Sequence, residues 1–313
     1  MRNNRRQMLR SLSLGSIGLV ALPKFFGFTQ TEKNTETGKS MMARNIPSSG
    51  EELPVVGLGT WQTFDAGTSQ EKLKTLEQVL VEMQKLGGKV IDSSPMYGSS
   101  EAVVGRLTDS LENSDYFYAT KVWTSGKQAG IDQMNTSFEK MRRHTMDLMQ
   151  IHNLVDWQTH VKTLKTWKEE GKIRYWGITH YVDSAHETLE KIIRQEKPDF
   201  AQFNYSIRSR HAEDSLFETC QEHGTATIIN QPFESGSLFR KVKDKALPDW
   251  TSDYDIKSWG QYFLKFILAN EAVTCVIPGT SKPEHAIDNM MAGYGALPDA
   301  SGQDKMAAYL TSI

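Results

Sequence analysis

Eight short β-rich segments recur along the chain, and a longer segment with helical periodicity follows each of them. The predicted strands are Val55–Leu58, Lys89–Ser93, Tyr116–Val122, Asp147–His152, Tyr175–Thr179, Phe200–Tyr205, Ala226–Asn230 and Val273–Ile277. The predicted helices are Gln70–Leu86, Ser100–Leu111, Gln128–Arg143, Trp157–Glu170, Ala185–Glu196, Ala212–Glu222, Ile256–Ala269 and Glu284–Met291. Strands that alternate with helices pair in parallel through right-handed crossovers, so this order predicts a closed (β/α)8 TIM barrel.

The alternative for such an order is an open, doubly wound sheet, which ordinarily carries a glycine-rich phosphate turn after its first strand. Here the first strand runs into "GLGTWQTF", residues 57–64, which has a G-x-G but neither the third glycine nor a helix start. The barrel is therefore favoured. Residues 43–56, "ARNIPSSGEELPVV", predict an N-terminal β-hairpin over the bottom of the barrel, and further helices are expected at the C-terminal end. The longest irregular stretch is predicted at Phe233 to Asp255.

Charge and cysteine content narrow the class of protein. The chain of 313 residues has 36 Lys and Arg against 38 Asp and Glu, so its formal charge is -2. A near-neutral chain lacks the basic field that attracts nucleic acid, and a small neutral or weakly charged partner is expected instead. The two cysteines, Cys220 and Cys275, belong to no metal-binding pattern, and we expect both to be small core residues.

The first residues differ from the rest of the chain. Arg5 and Arg6 precede a modest apolar stretch from Leu12 to Leu22, a pattern typical of a twin-arginine export signal. The alternative is a disordered basic N-terminus. The apolar part is too short for a stable membrane span. We therefore divide the chain into a signal segment (1–28), a flexible linker (29–42) and a barrel domain (43–313), and we expect the twin-arginine translocase as a partner and a periplasmic location. Without a working signal the location would be cytoplasmic.

Polar side chains stand where the predicted strands end, and in a barrel of this kind those ends form the active-site face. Asp92 ends the second strand, Tyr97 follows it, Lys121 lies near the end of the third strand, and His152 ends the fourth. A tyrosine exchanges protons poorly at neutral pH unless a nearby cation stabilises its phenolate, and Lys121 could be that cation. Asp92 would hold the lysine, and His152 could orient a carbonyl oxygen.

Each of these residues also has an ordinary structural interpretation. Lys121 could extend its ammonium group to water, His152 could be a hydrogen-bonded core histidine, and Asp92 could cap a helix. Charges are rarely buried without a partner, however, and packing alone does not explain all four at consecutive strand ends. Together they predict proton donation to oxygen while a cofactor supplies hydride to carbon.

Several segments of the chain resemble the aldo/keto reductases: "GLGTW", "VIDSSPMYGSSEAVVGRL", "YATKVW", "DLMQIHN", "GKIRYWGIT", "FAQFNYS" and "VIPGTSKPEHAIDN". The resemblance runs from about Ala43 to about Asn289. It implies a (β/α)8 fold, a nicotinamide cofactor that is usually NADP(H), with NAD(H) as the second choice, and a small carbonyl substrate. It also implies the catalytic residues Asp92, Tyr97, Lys121 and His152.

The resemblance further implies cofactor contacts, and this chain departs from the family at several of them. The matching positions are Thr179, His180, Gln202, Asn230, Pro232, Thr280, Ser281, Lys282, His285 and Asn289. Thr179-His180 replaces the usual Ser-Asn, Asn230 stands where a tyrosine often stacks on the nicotinamide, and His285 replaces an arginine that holds the 2′-phosphate. Trp61 and Trp123 are expected to line the substrate pocket.

Two other functions compete with carbonyl reduction. The changes at the cofactor positions, together with export to a compartment where soluble NADPH is not expected, are consistent with a barrel that acts as a binding or assembly protein with little turnover. A metal-dependent hydrolase would need clustered His and carboxylate ligands at the strand ends, where only Asp92 and His152 qualify. We therefore expect no metal site.

Overall fold

The structure is a computed structural model that describes residues 40–111 and 115–313. Its first element is a hairpin of β1 (Ala43–Asn45) and β2 (Glu52–Pro54), which pair antiparallel. Ile46 and Leu53 pack inside the bottom of the barrel. The Tyr175 hydroxyl donates to Glu51 Oε2 at 2.6 Å and lies 2.7 Å from Ser49 Oγ. The hairpin therefore closes the bottom of the barrel, as predicted.

Eight parallel strands form the barrel in sequential order, from β3 to β10. They are β3 (Leu58–Gly59), β4 (Val90–Asp92), β5 (Phe117–Val122), β6 (Met146–His152), β7 (Ile173–Thr179), β8 (Phe200–Asn204), β9 (Ala226–Asn230) and β10 (Cys275–Val276). All eight predicted strands are present, and the predicted barrel is confirmed. Inward side chains such as Phe117, Leu148 and Phe200 fill the lower interior, while a larger core lies between the strands and the surrounding helices.

The first and last strands close the barrel through a short seam. Bridges join Val56 to Val276 and Gly59 to Gly279, and Gly57 N donates to Val276 O at 2.8 Å. A Cβ added at Gly57 would lie 2.7 Å from the Val90 Cβ, and one at Gly59 would lie 2.8 Å from Ile277 O. These glycines of the "GLGTW" segment therefore permit close strand approach, which is a different role from a phosphate turn.

Ten α-helices are present in the described residues. They are α1 (Gln70–Lys85), α2 (Ser100–Ser110), α3 (Lys127–Met141), α4 (Trp157–Glu169), α5 (His186–Glu196), α6 (Leu216–Glu222), α7 (Ser237–Lys241), α8 (Trp259–Leu268), α9 (Pro283–Met291) and α10 (Ala300–Ser312). The eight predicted helices correspond to these except α7 and α10. Helix α10 is an additional C-terminal helix, as the sequence predicts. Asp299 is its N-cap, because the Asp299 side chain accepts a hydrogen bond from Gly302 N.

The predicted irregular stretch from Phe233 to Asp255 is more ordered than expected. It contains a 3-10 turn at Glu234–Gly236, helix α7 and a second 3-10 helix at Asp249–Tyr254. Helical elements this short span too few turns to produce a hydrophobic repeat, so the sequence pattern cannot show them.

The described chain begins within the predicted linker. Met41 is buried, and Met42 N donates to Gly293 O at 2.9 Å. The predicted signal segment and residues 29–39 of the linker lie outside the described residues. Among residues 40–111 and 115–313, every helix is too short or too polar to cross a lipid bilayer. Cys220 and Cys275 are both buried with free thiols, as expected.

Candidate active site

A buried ion pair lies at the centre of the upper barrel. Lys121 Nζ donates to Asp92 Oδ2 at 2.6 Å and to the Ser93 carbonyl at 2.7 Å. Lys121 is 0% exposed and Asp92 is 3% exposed. Burial alone would lower the pKa of Lys121, but the Asp92 carboxylate and then Tyr97 outweigh this effect and raise it. The lysine is therefore held as an ammonium ion.

Two glutamines hold the other oxygen of the same carboxylate. Gln150 Nε2 donates to Asp92 Oδ1 at 3.0 Å, and Gln202 Nε2 donates to the same oxygen at 2.9 Å. Both glutamines are buried. Sequence reasoning missed Gln150, although it stands two residues before His152 and so must face the same side of β6. This alternation is the signal that could have found it.

Tyr97 lies in the loop after β4, and the chain just beyond it is fixed by Asp65. Asp65 Oδ1 accepts from Ser99 N at 2.9 Å and from Ser99 Oγ at 2.7 Å. Both hydrogen bonds lower the pKa of the Asp65 carboxyl, and the bond from the Ser99 side chain has the larger effect. Gly98 has a φ of 62°, and a Cβ there would lie 2.4 Å from the Asp65 carboxylate. A glycine is therefore required directly after the tyrosine.

The Tyr97 ring lies beside the ion pair. Lys121 Nζ is 5.1 Å from the centroid of the ring. Withdrawal from water raises the pKa of the Tyr97 hydroxyl, and this effect outweighs the lowering by the Lys121 charge. The Lys121 charge lowers this pKa, as the sequence argument expected, but burial of the ring, which that argument did not include, has the larger effect. Because its pKa is raised above the ordinary value, Tyr97 is protonated at neutral pH.

His152 completes the group of four at the end of β6. Its ring centroid lies 6.0 Å from that of Tyr97 and 6.4 Å from that of Trp123. Burial, then the positive charge of Lys121, lowers the pKa of His152 to about 3. The imidazole is thus neutral at physiological pH. Its Nδ1 lies 3.2 Å from Ser94 Oγ, which leaves Nε2 for a different partner.

These side chains surround a cavity of about 560 Å³ at the top of the barrel. Of the predicted site residues, eight line it: Trp61, Asp92, Tyr97, His152, Thr179, Gln202, Asn230 and Pro232. Trp123 stands beside it through its contact with His152. The structure thus brings together the predicted proton-transfer residues and the first half of the predicted cofactor positions.

A chain of hydrogen bonds links the ends of three strands along one wall of this cavity. Thr179 Oγ1 donates to Gln202 Oε1 at 3.2 Å, and Asn230 Nδ2 donates to the same oxygen at 3.4 Å. Asn230 Nδ2 also donates to the His180 carbonyl at 3.0 Å, while the His180 ring stacks on Tyr181. Asn230 Oδ1 is buried without a hydrogen-bond partner in the described chain. An unsatisfied amide oxygen at this position fits a bound group that carries a hydrogen-bond donor, such as a carboxamide.

The remaining predicted cofactor positions lie away from the cavity wall, after β10 and on α9. Lys282 N donates to Thr280 Oγ1 at 3.1 Å, and the side chains of Ser281, Lys282 and His285 are exposed. Asn289 is buried on α9. Ser281, Lys282 and His285 form a separate polar surface at the start of α9, which an extended ligand would have to reach from the cavity. No group of three or more His, Cys, Asp or Glu side chains able to hold a metal ion occurs in residues 40–111 and 115–313.

The chain is similar in sequence to several curated proteins. Among curated relatives, the chain is 24% identical over 307 residues to a putative voltage-gated potassium channel subunit beta of Schizosaccharomyces pombe, covering 81% of this chain and 88% of the relative. It is 25% identical over 283 residues to the NADP-dependent D-sorbitol-6-phosphate dehydrogenase of Malus domestica, covering 78% and 86%.

Solved structures share the fold. An aldo-keto reductase of Klebsiella pneumoniae in complex with NADPH superposes with a TM-score of 0.72 at 21% identity, covering 86% of this chain and 96% of that one. The holo form of an aldo-keto reductase of Bacillus halodurans gives a TM-score of 0.70 at 20% identity, covering 86% and 96%. The model of the aldo/keto reductase family matches residues 55–303, which is most of the chain. This chain is therefore a member of the aldo/keto reductase family of oxidoreductases.

Proposed function

We propose that this protein reduces an aldehyde or ketone to an alcohol with NADP(H), and that Tyr97 donates the proton. The observation that carries the proposal is the arrangement of a protonated Tyr97 beside the buried Lys121–Asp92 pair, in the wall of a cavity large enough for a small ligand. A proton donor, a cation next to it and an adjacent neutral imidazole are the groups that carbonyl reduction requires.

Tyr97 acts as the general acid in this proposal. Its proton moves to the carbonyl oxygen as the C=O π bond breaks, and the phenolate that remains is stabilised by the Lys121 ammonium group. Asp92 fixes the position of Lys121, and Gln150 and Gln202 fix the position of Asp92. Because these groups are already held by the fold, little reorganisation is needed when charge develops on the tyrosine oxygen.

His152 orients the carbonyl group. If Ser94 Oγ donates its hydrogen to Nδ1, then the ring hydrogen lies on Nε2 and points away from Ser94. A neutral imidazole in this form can donate a hydrogen bond to the carbonyl oxygen without adding a full positive charge beside Lys121. The low pKa of His152, about 3, supports this role.

NADP(H) is the proposed cofactor, with NAD(H) as the second choice. The nicotinamide cofactor supplies hydride to the carbonyl carbon. Thr179, Gln202 and the unsatisfied Asn230 Oδ1 would hold its carboxamide, with His180 and Pro232 beside them. Thr280, Ser281, Lys282, His285 and Asn289 would hold the adenosine end. The support is the fit of the Asn230 amide, the NADP dependence of the Malus domestica relative, and the NADPH bound in the Klebsiella pneumoniae structure.

The test is a kinetic and binding experiment on the purified full chain. Wild-type protein should oxidise NADPH when a simple aromatic aldehyde is added, and Tyr97→Phe should lower kcat by a factor of at least a thousand while NADPH binding, measured by fluorescence, stays intact. A Tyr97→Phe rate equal to that of the wild type would contradict the mechanism. Binding of NADPH without any turnover would favour the binding or assembly protein instead.

We also propose that the twin-arginine translocase exports this protein to the periplasm. The support is the Arg5-Arg6 pair ahead of a short apolar stretch, since such signals are read by a receptor. Cell fractionation should find the full chain in the periplasm. The variant Arg5→Lys/Arg6→Lys should retain it in the cytoplasm, and equal periplasmic amounts of both would contradict export by this route.

A further inference from the structure

One buried acidic side chain belongs neither to the proton-transfer group nor to an ion pair. Three carboxyl side chains are buried in the part of the chain that the structure describes: Asp92, Glu101 and Asp199. Asp92 is paired with Lys121, and Asp199 is paired with Lys168 at 2.7 Å. Glu101 is 1% exposed and has no ion-pair partner among the described residues. Acidic side chains are rarely buried without a cation, so this one requires an explanation.

The Glu101 carboxyl lies on the outer side of the barrel, between helix α2 and strand β5. Thr120 Oγ1 donates to Glu101 Oε1 at 2.6 Å, while Glu101 Oε2 is buried without a hydrogen-bond partner in the described residues. Burial raises the pKa of Glu101. The opposing effects are smaller and come, in order of size, from Thr120, Ser137, Lys140 and Lys121. The neutral acid is therefore the form that this environment favours.

The hydrogen bond between Glu101 and Thr120 joins the two parts of the fold that carry Tyr97 and Lys121. On β5, Thr120 is the neighbour of Lys121 and faces the opposite side of the strand. On α2, Glu101 follows Ser100, whose hydroxyl donates to the Tyr97 carbonyl at 2.7 Å. The bond thus links the residue next to the lysine with the first turn of the helix that follows the tyrosine.

A second contact sets the direction of α2. A Cβ added at Gly105 would lie 2.2 Å from the Lys140 carbonyl oxygen, so α2 touches α3 at this point. Because Gly105 is four residues after Glu101, the two contacts lie on the same face of the helix. The Gly105 contact sets how closely α2 approaches α3, and the Glu101 hydrogen bond fixes the end of α2 that is nearest Tyr97.

Packing alone does not account for this polar pair. Apolar side chains of similar volume at Glu101 and Thr120 would fill the same space without leaving a buried oxygen unsatisfied. Apolar contacts have no preferred direction, however, whereas a hydrogen bond holds one arrangement of helix against strand. Buried polar groups can be retained for such conformational specificity, at a cost in stability.

We propose that Glu101 is a positioning residue, whose hydrogen bond with Thr120 fixes the start of α2 on β5 and so holds Tyr97 at its distance from Lys121. The proposal rests on the carbonyl reduction proposed above, in which the Lys121 charge stabilises the Tyr97 phenolate. The Lys121 ammonium lies 5.1 Å from the centroid of the Tyr97 ring. Without the hydrogen bond, the start of α2 and the loop before it shift away from β5, and the lysine stabilises the phenolate less.

Three substitutions in the purified full chain test this role. Glu101→Leu should lower kcat for reduction of a simple aromatic aldehyde about fivefold, the effect of one neutral hydrogen bond, with little change in KM for NADPH. Glu101→Gln keeps an acceptor of the same shape and should retain most of kcat. Thr120→Val should match Glu101→Leu, and the double variant should be no slower than either single one, because each removes the same bond. Losses of kcat that multiply in the double variant would overturn the inference.

Leu107→Ala is the control for a general loosening of α2. Leu107 is buried further along the same helix, away from this hydrogen bond. The substitution leaves a cavity and should lower the free energy of unfolding, measured by urea denaturation, while kcat stays at the wild-type value. A loss of kcat as large as that of Glu101→Leu would mean that Glu101 has no specific role in positioning Tyr97.

Crystal structures of the wild type, Glu101→Leu and Glu101→Gln give a measurement that does not depend on turnover. The distance from Lys121 Nζ to the Tyr97 ring should increase in Glu101→Leu and stay the same in Glu101→Gln. An unchanged distance in Glu101→Leu would overturn the inference. A longer distance in that variant, combined with no carbonyl reduction by the wild type, would contradict the proposed function while supporting the positioning role of Glu101.

Discussion

Lys121 and Asp92 form an ion pair with almost no exposure to water, with Nζ and Oδ2 2.6 Å apart. Removing one partner leaves the other buried and uncompensated, which typically costs about 3–5 kcal/mol. We expect Asp92→Asn and Lys121→Met each to lower the free energy of unfolding by about that amount and to lower kcat at least a hundredfold. The double variant should recover most of the stability but no activity. Urea denaturation measures the free energy of unfolding, and steady-state kinetics measures kcat. A double variant that loses as much stability as the two single variants together would contradict the pairing.

Gln150 is predicted to act as a positioning residue through Asp92. Gln150→Leu keeps the volume but removes a hydrogen bond to a charged group, which is worth about 1.5–3 kcal/mol. We expect kcat to fall about tenfold, with little change in KM for NADPH. Gln133→Leu is the control, since Gln133 bonds the backbone of Trp123 and not the carboxylate. If Gln150→Leu raised KM and left kcat unchanged, a role in positioning Asp92 would be excluded.

The pH dependence should follow the raised pKa of Tyr97 and the lowered pKa of His152. Because the proton donor must be protonated, carbonyl reduction should stay constant through neutral pH and decline only above pH 10, the ordinary pKa of a tyrosine. Alcohol oxidation needs the phenolate and should increase over the same alkaline range. Reaction rates measured in both directions check this, and a fall in reduction between pH 6 and 8 would be incompatible with it.

His152 should also affect stability. Its pKa is about 3 in the folded protein and 6.5 without perturbation, so the unfolded chain binds the proton first as the pH falls. The contribution of neutral His152 is therefore fully present above pH 6.5 and is lost progressively towards pH 3. We expect His152→Gln to flatten the fall of the unfolding free energy across this window, as measured by urea denaturation at several pH values.

His285 should limit the affinity for the 2′-phosphate of NADPH. It is exposed at the start of α9, and an arginine offers a permanent bidentate partner for phosphate. We expect His285→Arg to tighten NADPH binding about tenfold and to leave NADH binding unchanged, as measured by fluorescence titration. Ile287→Arg adds the same charge on a different face of α9 and serves as the control. Equal effects of the two substitutions on NADPH binding would mean that the added positive charge acts only by general electrostatic attraction, without a specific contact to the 2′-phosphate.

Gly98 and Gly67 offer a matched test of the loop that carries Tyr97. Both have positive φ, but a Cβ at Gly98 would lie 2.4 Å from the Asp65 carboxylate, whereas one at Gly67 would meet nothing within 4 Å. We expect Gly67→Ala to cost about 1 kcal/mol of stability. Gly98→Ala should cost more and lower kcat, because Tyr97 moves with its neighbour. Similar kcat values for the two variants would show that the Asp65 contact does not position the tyrosine.

Much of the barrel could be predicted because its signals are local. Each strand is a short buried run, each long helix has an apolar face, and the residues at the strand ends follow directly from where the runs stop. Asp92, Lys121 and His152 were located in this way. Side chains two residues apart on a strand face the same side, so the position of His152 on β6 also places Gln150 on the side of the site.

Other features depend on three-dimensional context. The net direction of the Tyr97 pKa is set by a balance between burial and the Lys121 charge, and the degree of burial is not visible in a sequence. The left-handed conformations of Gln62 and Asn153 are imposed by the loops around them, since neither residue requires such a backbone. Helix α7 has only 5 residues, too few for a periodic pattern.

The seam between the first and last strands joins residues more than two hundred positions apart, such as Val56 and Val276. The barrel therefore cannot close until nearly the whole chain has left the ribosome, whereas the arginine pair at the N-terminus emerges first. A transport route that accepts only completed folds would have to wait for this last pairing. The two glycines that allow these strands to meet, Gly57 and Gly59, therefore act in one of the last steps of folding.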